Sequence, residues 1–415
     1  MLRNYIKMAI KVLRRRAFFT FISLFAIGFT LTVLTLSAAL IDHTLAPMPP
    51  ETELDRTLGL YQLYAKGENI ELQTSPGYRL LDRCIRDLPG AETVTIFSQA
   101  GSANSYVDGR KIESHLKRTD GGFWEIMHFE FLEGRPYTGE DERDASFVAV
   151  INARTRREFF GDSLAVGRMI EVDGQRFQVV GVVADVPIYR NNPFADIWVP
   201  ITTAKSDSYR SEYLSGFTGL ILARGRAAFP DIRAEFRARL SLLNPSEWEE
   251  KGIETVSCRP ETYWEAASRE ILGTPIEKTR AAYLLAYFGG LMLLFMLLPT
   301  ISLININVSR ILERASEIGV RKAFGASKLT LVGQFVTENV ILTLLGGALA
   351  LMASCVILAV FTRAGVVPYA QFSPNLRIFA SALGLALFFG VFSGVYPAWK
   401  MSRLHAVEAL RRKMQ

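Results

Sequence analysis

Four long runs without a charged residue divide the chain into membrane segments and one large polar segment. The runs are Ala17–Ile41, Ala282–Ile306, Asn339–Thr362 and Ile378–Trp399. Each is longer than the roughly 20 apolar residues with which an α-helix crosses a bilayer. The pattern therefore predicts four transmembrane helices and excludes a soluble enzyme. The first run could instead be a cleaved signal peptide, but its length favours a retained span.

The polar segment contains a strand–helix–strand order twice. The predicted elements are strands Thr57–Ala65 and Glu92–Phe97 around helix Pro76–Leu88, and strands Phe217–Ala223 and Ile253–Ser257 around helix Pro230–Leu243. Two such β-α-β units predict a split ferredoxin-like module, with its helices on one face of the sheet. The fold class is thus an α-helical membrane protein with four transmembrane helices and a large α+β extracytoplasmic domain.

Residues 98–216, between the two units, are predicted to form a mostly β insert. Strand patterns occur at Phe147–Ile151, Met169–Val172, Phe177–Val183 and Ile197–Ile201. Asp173-Gly174 is typical of a tight hairpin turn. Because Phe177–Val183 reads as a continuous apolar run, we expect it to be buried on both faces.

Short basic segments next to the apolar runs set the orientation. The first 16 residues contain six basic residues and no acid, and both 307–337 and the tail from Lys400 are basic. Since translocation of Lys and Arg beside a spanning helix is disfavoured, both termini are predicted to be cytoplasmic and 42–281 extracytoplasmic. This orientation describes a multi-pass protein of the cytoplasmic (inner) membrane whose basic flanks also bind lipid.

The polar segment shows no catalytic pattern. Four scattered histidines lack metal-ligand spacing, and the acidic run Gly139–Asp144 lacks the spacing of a calcium loop, so a solvated turn is expected there. Cys84 and Cys258 are either a disulfide or two buried thiols. The sequence predicts no catalytic residue, no metal and no cofactor; the four tryptophans of this segment are expected in its core (Trp124, Trp198, Trp248 and Trp264).

The loop after the second run has the pattern of an amphipathic cytoplasmic helix. Glu313, Glu317 and Arg321 follow one another at i, i+4 spacing and form one exposed face. Gly325 fits a helix stop before the next helix. A helix of this kind across the cytoplasmic mouth is a docking surface for a soluble partner; the alternative is a solvated pair and a plain cap.

The motif E-I-G-V-R-K-A-F-G-A-S at Glu317–Ser327 resembles the MacB/FtsX-type permeases of ABC transporters, the type VII mechanotransmission family. Matching features are Glu313-Arg314 before it, Gln334, Phe335 and Glu338 after it, the ending Gly394, Pro397-Ala398 and Glu408–Arg411, and the outer segments Leu132–Glu142, Val148–Asn152, Phe160-Gly161, Val166-Gly167 and Val179–Val182. Ala406 departs from the pattern, because family members commonly have proline there.

The resemblance implies a dimeric permease with four spans per subunit, driven by two cytoplasmic ABC ATPase subunits. It places the ATPase-coupling surface on Glu313, Arg314, Glu317, Ile318, Gly319, Arg321, Lys322 and Gly325. No G-x-x-x-x-G-K-[ST] phosphate loop occurs in the sequence, so ATP hydrolysis is expected on a partner. The second permease copy can be identical or different, and a periplasmic adaptor and an outer-membrane channel are further possible partners. No nucleic-acid partner is expected.

Small residues predict close helix contacts in the membrane, at Gly346 in the third run and at Gly390 and Gly394 in the fourth. The outer ends of the first two transmembrane helices are predicted either to continue as a paired stalk outside the membrane or to form plain linkers. The predicted order is 1–16 basic N-terminus, 17–46 helix 1 and stalk, 47–260 extracytoplasmic domain, 261–306 stalk and helix 2, 307–328 coupling helix, 329–362 helix 3, 363–377 outer loop, 378–399 helix 4 and 400–415 cytoplasmic tail.

Three functions fit this organisation. The first is a permease that converts ATP hydrolysis on its partner into movement of the outer domain and thereby exports a drug, peptide or lipid-linked substrate. The second is a lipoprotein-releasing permease, and the third a non-transporting regulator of an extracytoplasmic hydrolase or sensor kinase. The large outer domain and the form of the loop motif favour export. An intramembrane enzyme is excluded because the spans contain no cluster of His, Asp or Cys.

Overall fold

The computed structural model separates into two compact units, which are described independently. It describes residues 17–107, 109–214, 216–244, 252–273, 281–313, 327–365 and 374–402, together with residues 11, 15, 248 and 320. The helical unit contains 17–43 and the described residues from 285 onward, and the α/β unit contains the described residues of 44–284. The chain passes from one unit to the other twice.

Helices make up the helical unit and cover part of the α/β unit. In chain order they are α1 Ala17–Leu45, α2 Tyr78–Ile85, α3 Gly122–Ile126, α4 Gly139–Arg143, α5 Ala153–Phe160, α6 Phe229–Ser241, α7 Tyr263–Leu272, α8 Ala281–Glu313, α9 Lys328–Arg363 and α10 Leu376–Ser402. The helix predicted at Pro76–Leu88 is confirmed as α2, which buries its apolar stripe in the core. The helix predicted at Pro230–Leu243 is confirmed as α6.

Strands of the α/β unit form a ten-stranded and a three-stranded sheet. They are β1 Thr57–Leu60, β2 Leu63–Lys66, β3 Glu71–Thr74, β4 Ala91–Ser98, β5 Gly101–Val107, β6 Arg110–Thr119, β7 Phe131–Gly134, β8 Val148–Asn152, β9 Met169–Val172, β10 Gln175–Val183, β11 Ile197–Pro200, β12 Phe217–Ala223 and β13 Thr255–Cys258. The large sheet has the order β1-β12-β4-β6-β11-β8-β10-β7, with β5 on β6 and β9 on β10. The small sheet has the order β13-β2-β3.

The predicted ferredoxin-like order is present, but its first strand is broken. β12 lies between β1 and β4 and is antiparallel to both, and β13 pairs with β2, the continuation of β1. The single strand predicted at Thr57–Ala65 is therefore wrong, because its two halves pair in different sheets. The break lies beside Tyr61, whose ring folds back over Gly59; a Cβ there would be 2.1 Å from the ring Cζ.

The insert is largely β, and its four predicted strands are confirmed as β8, β9, β10 and β11. Asp173 and Gly174 both have positive φ in the turn between β9 and β10, as a tight hairpin requires. Burial on both faces is wrong for the start of β10, because Gln178 is exposed. From Val179 onward the strand lies between two neighbours and its residues are buried or half-buried.

The acidic run is a short helix and not the solvated turn expected from the sequence. Thr138 accepts a hydrogen bond from the backbone N–H of Asp141, whose side chain bonds back to Thr138, so a capping box begins α4. Glu142 accepts a hydrogen bond from the backbone N–H of Gly121 at 2.7 Å. These bonds satisfy the amide groups that otherwise disfavour so short a helix.

The core of the α/β unit has three parts: one centred on the module, one within the insert and one formed by residues of both. Trp198 is fully buried and Trp248 is 6% exposed, as expected for core residues. Trp124 and Trp264 are half-buried. Trp124 contacts Trp198 with ring centroids 6.2 Å apart, inside the part of the core that joins the insert to β4.

The helical unit packs α1, α9 and α10 around a small apolar core that includes Ile27, Leu342 and Phe379. Within the described residues, two helices are long and apolar enough to cross a bilayer, over Ala17–Thr44 and Val332–Arg363. Shorter apolar stretches lie at Ala281–Phe295 and Leu376–Phe392. These findings indicate membrane helices, and the count of four spans stays a prediction, as do the domain boundaries and the stalk.

Candidate functional site

Of the predicted coupling residues, only Glu313 belongs to the described part of the chain. The backbone of Glu313 ends α8. The others lie outside the described residues: Arg314, Glu317, Ile318, Gly319, Arg321, Lys322 and Gly325. Their contact with an ATPase stays a prediction that rests on the sequence motif.

Gly346 lies at a close approach of α9 to α1. A Cβ at this position would be 2.8 Å from Ile27 Cγ2, so that one of the two side chains would have to shift. One turn away, the hydroxyl of Thr32 donates to the carbonyl oxygen of Gly28 at 2.8 Å and approaches that of Ala350 at 3.4 Å. This contact has the small-residue and hydroxyl character typical of helix packing in a bilayer.

Gly390 lies at a similar approach of α10 to α9. A Cβ there would be 2.7 Å from the hydroxyl of Thr343, and Asn339 donates to the carbonyl oxygen of Gly390 at 3.3 Å. Gly394 lies one turn further along α10. The packing roles of the three glycines in the membrane stay predictions.

A polar contact also joins α1 to α10. Asn375 donates from Nδ2 to Asp42 at 2.9 Å, and its Oδ1 accepts from the backbone N–H groups of Arg377 and Ile378. Asn375 therefore caps α10 and holds the end of α1 at the same time. The sequence analysis missed this pair, since neither residue belongs to a recognisable motif.

In the α/β unit, the segment that follows α1, residues 46–52, is attached to the insert by buried polar groups. Glu51 accepts from Arg190 at 3.1 Å and from Asn192 at 2.9 Å, and the carboxylate and the guanidinium are 2% and 1% exposed. Arg190 also donates to the carbonyl oxygen of Ala46 at 2.9 Å. The backbone N–H of His128 donates to Pro50 at 2.8 Å. We call residues 46–52 the first connecting segment.

The loop that carries Arg190 is held rigidly to the large sheet. Lys117 of β6 is fully buried, and its ammonium donates to the carbonyl oxygens of Asn191 and Asn192. Burial lowers the pKa of Lys117 to about 7, although the nearby Glu51 carboxylate opposes this shift. At the end of the loop, Asp196 accepts from the backbone N–H of His115 at 2.8 Å. Arg190, the partner of Glu51, is therefore fixed to the large sheet.

The segment that precedes α8, residues 259–272, is attached to the ferredoxin-like module. We call it the second connecting segment. Glu261 exchanges two backbone hydrogen bonds with Gly59 of β1, and its buried carboxylate accepts from Arg269 at 2.9 and 3.1 Å. In addition, Arg233 of α6 pairs with Glu265 of α7. Two strong ionic contacts thus hold α7 against the module.

Tyr61 lies between the two connecting segments, at the break between β1 and β2. It lines one small cavity together with Glu51 and Asn192, and its ring contacts that of Tyr263 edge-on with centroids 6.4 Å apart. Asn192 belongs to the contact with Glu51, and Tyr263 is the first residue of α7. The broken strand therefore brings the two attachments next to one another.

A third buried contact joins the insert to the module. Asp120, whose side chain is 2% exposed, accepts from Arg86 at 3.1 Å and from the hydroxyl of Thr95. It also accepts the backbone N–H groups of Ile96 and Phe123 at 3.0 and 3.2 Å. Since Arg86 and Thr95 belong to the module and Asp120 follows β6, this one carboxylate connects both parts.

None of these buried charges could be found by sequence reasoning. Glu51, Lys117, Asp120, Arg190 and Glu261 are surrounded by ordinary polar residues in the sequence, where a solvent-exposed charge is the usual interpretation. Pro47, Pro49 and Pro50 indicate a stiff segment before Glu51 but no partner for it. The described residues contain no group of three or more His, Cys, Asp or Glu side chains that could hold a metal ion.

Cys84 and Cys258 are both free and buried. Burial raises the pKa of Cys84 to about 11, and Cys258 donates to the carbonyl oxygen of Gln62 at 3.3 Å. Because the thiolate is the reactive form, we expect neither thiol of the folded, full-length Cys355→Ala variant to react with a water-soluble maleimide at neutral pH. Both should react after unfolding without any reductant. Labelling of the folded chain, or a need for reductant, would contradict this assignment.

Comparison with known proteins identifies the family to which the chain belongs. A model of the MacB-like periplasmic core domain matches residues 20–239, over half of the chain, and a model of the FtsX-like permease C-terminal region matches residues 289–406. The chain belongs to the MacB/FtsX-type family of ABC transporter permeases. The resemblance stated from the loop motif is thereby confirmed, and the α/β unit is the extracytoplasmic domain of a membrane protein.

Two curated relatives illustrate the range of the family. The macrolide export ATP-binding/permease protein MacB of Shewanella oneidensis is 27% identical over 338 residues, 79% of this chain and 48% of that protein. This chain thus spans about half the length of MacB. The uncharacterized ABC transporter permease YknZ of Bacillus subtilis is 23% identical over 359 residues, 84% of each chain. The solved periplasmic region of MacB from Actinobacillus actinomycetemcomitans is similar with a TM-score of 0.38 and 13% identity, over 57% of this chain and 97% of that one.

Proposed function

We propose that this MacB/FtsX-type permease couples ATP hydrolysis on a separate cytoplasmic ABC ATPase to a conformational change of its extracytoplasmic domain. The change drives export of a drug, peptide or lipid-linked substrate. The observation that carries the proposal is that one chain combines the MacB-like periplasmic core domain with the FtsX-like C-terminal region. MacB of Shewanella oneidensis, which matches across both regions, is named as a macrolide exporter.

The ATPase contact is proposed for the cytoplasmic loop. Glu317, Gly319, Arg321 and Gly325 carry the family motif, and the basic flanks of the loop favour its cytoplasmic location. The MacB relatives are named as ATP-binding/permease proteins, which supports an ABC ATPase as the partner of this permease. The proposed assembly contains two permease copies and two ATPase subunits. An adaptor and an outer-membrane channel complete it where a second membrane has to be crossed.

The proposal is tested by replacing Glu317–Ser327 with a glycine–serine segment of equal length. The full chain is co-expressed with the ABC ATPase encoded beside it, purified through the permease, and reconstituted into liposomes. We expect the replacement to abolish ATPase capture and permease-dependent ATP hydrolysis, because the docking helix is lost. A glycine–serine replacement of equal length in the predicted outer loop 363–377 is the matched control and should retain both. Undiminished capture by the replaced loop would refute the docking assignment.

The response of ATP hydrolysis to added substrates distinguishes export from lipoprotein release and from regulation. A macrolide is the first probe, because that is the substrate class in the name of the MacB relatives. We expect it to stimulate ATP hydrolysis and to be moved across the liposome membrane or released from it. ATP turnover that responds only to a lipoprotein would favour the lipoprotein-releasing function. Turnover that responds only to an extracytoplasmic hydrolase or sensor kinase would favour regulation.

A further inference from the structure

The two connecting segments are attached to different parts of the extracytoplasmic domain. The first connecting segment contacts residues of the insert, namely Arg190, Asn192 and His128. The second connecting segment contacts the module, through the backbone of Gly59 and the side chain of Arg233. A displacement of one segment relative to the other therefore acts on two separate parts of the domain.

We infer that the buried contact of Glu51 with Arg190 and Asn192 is a positioning contact of the transport cycle. It attaches the segment that follows α1 to the insert, so that displacement of this segment moves the insert relative to the module. The inference rests on the proposed function, since it names the residues through which ATP-driven movement reaches the insert.

The attachment is needed because a free linker would absorb the movement. Residues 46–52 belong to no helix or strand and have only the β-bridge between Met48 and Glu51, and a free chain can extend to about 3.3–3.6 Å per residue. The buried ion pair removes this freedom. Separating the two partners would leave both charges buried without compensation, so the attachment resists displacement.

The insert side of the contact is equally firm. The loop 187–196 is held by Lys117 from β6, by Asp196 to the backbone of His115, and by Trp198, which donates to Pro193 at 3.2 Å. Force on Arg190 is therefore carried to β6 and β11, which are neighbours in the middle of the large sheet. On the other side, the Glu261–Arg269 pair carries force to β1 and α7.

The test measures the movement directly in the reconstituted complex of full chain and ATPase. Spin labels are placed on Leu164→Cys in the insert and Leu242→Cys in the module, whose native side chains are 71% and 84% exposed. Cys355→Ala removes the exposed native thiol, and Cys84 and Cys258 are buried. The distance between the labels is recorded without nucleotide and with ATP plus vanadate, and ATP hydrolysis is measured in parallel.

Glu51→Gln and Arg190→Met, each made separately, should reduce the distance change without reducing ATP hydrolysis. We expect the ATP-dependent change in label distance to fall to less than about half of its original size, with ATP hydrolysis retained within about twofold. Loss of stability alone would lower hydrolysis and protein yield together and would leave the distance change of the folded fraction intact. The matched control is the exposed ion pair of α5, changed as Glu158→Gln and Arg154→Met, which should alter neither measurement.

The possible outcomes distinguish the inference from the function on which it rests. If the unaltered complex shows no ATP-dependent distance change, the proposed function is contradicted and the inference with it. If the unaltered complex shows the change and both variants retain it in full, only the positioning role is overturned. Should a single variant fail to fold, Glu51→Gln combined with Arg190→Gln repeats the test, because this double variant removes both charges of the pair.

Discussion

Gly346→Leu should push α9 away from α1 and destabilise the full-length chain. A Cβ alone would lie 2.8 Å from Ile27 Cγ2 and 3.0 Å from Ile27 Cβ, and neither helix can yield without losing its other contacts. Overpacking of a closed contact costs about 1–3 kcal/mol, occasionally more. We expect a clear drop in the thermal unfolding temperature of the detergent-solubilised chain, measured by fluorescence-detected size exclusion.

Gly384→Leu is the matched control for that substitution. Gly384 lies in α10, and among the described residues nothing is within 4 Å of the position of its Cβ. The added side chain therefore meets open space, and the higher helix propensity of leucine slightly favours the variant. Equal effects of the two substitutions would show that Gly346 is not at a critical helix contact.

Asp120→Ala should be among the most destabilising substitutions in the extracytoplasmic domain. It removes the buried acceptor of the Thr95 hydroxyl and of the backbone N–H of Ile96, and one of the two carboxylates that pair with Arg86, at the boundary between insert and module. Each buried donor left without an acceptor costs about 1–3 kcal/mol. Denaturant unfolding of the full chain in detergent, followed by tryptophan fluorescence, measures this cost, because Trp124 and Trp198 lie in the adjoining core.

Asp207→Ala is the control substitution, because it removes a solvent-exposed ion pair of the same domain. Asp207 pairs with Arg210 at 3.3 Å, but the two side chains are 82% and 51% exposed. An exposed pair contributes about 0–1 kcal/mol, so its removal should be hardly measurable. A cost of Asp120→Ala no greater than that of Asp207→Ala would mean that the insert is held by apolar packing alone.

Sequence reasoning succeeded where one local rule determines the structure. The apolar stripe of α2 reflects helical periodicity, and Asp173-Gly174 reflects the positive φ angles of a tight turn. The range predicted for β12, Phe217–Ala223, is correct to the residue, because all seven residues are buried and the strand lies between two neighbours, β1 and β4. In these cases the local pattern and the tertiary environment agree.

It failed where the partner of a residue is far away in the chain. Thr57–Ala65 has one strand pattern, but β1 pairs with residues near 220 and β2 with residues near 256, and no local signal marks the break. The hairpin of β5 and β6 was missed because its many polar and charged residues conceal the strand alternation. The buried pairs of Glu51, Asp120 and Glu261 could not be predicted, since a charged residue shows its burial only when its counter-ion is known.

The large sheet crosses from module to insert at one place, where β4 and β6 share the single residue pair Phe97 and Thr119. Every other neighbouring pair in the main order of this sheet has two or more. The module and the insert are thus joined by side-chain packing and buried polar contacts more than by backbone pairing. Since so few ladder bonds cross between them, the insert is also the part that evolution or protein engineering can exchange or enlarge while the strand order of the module stays intact.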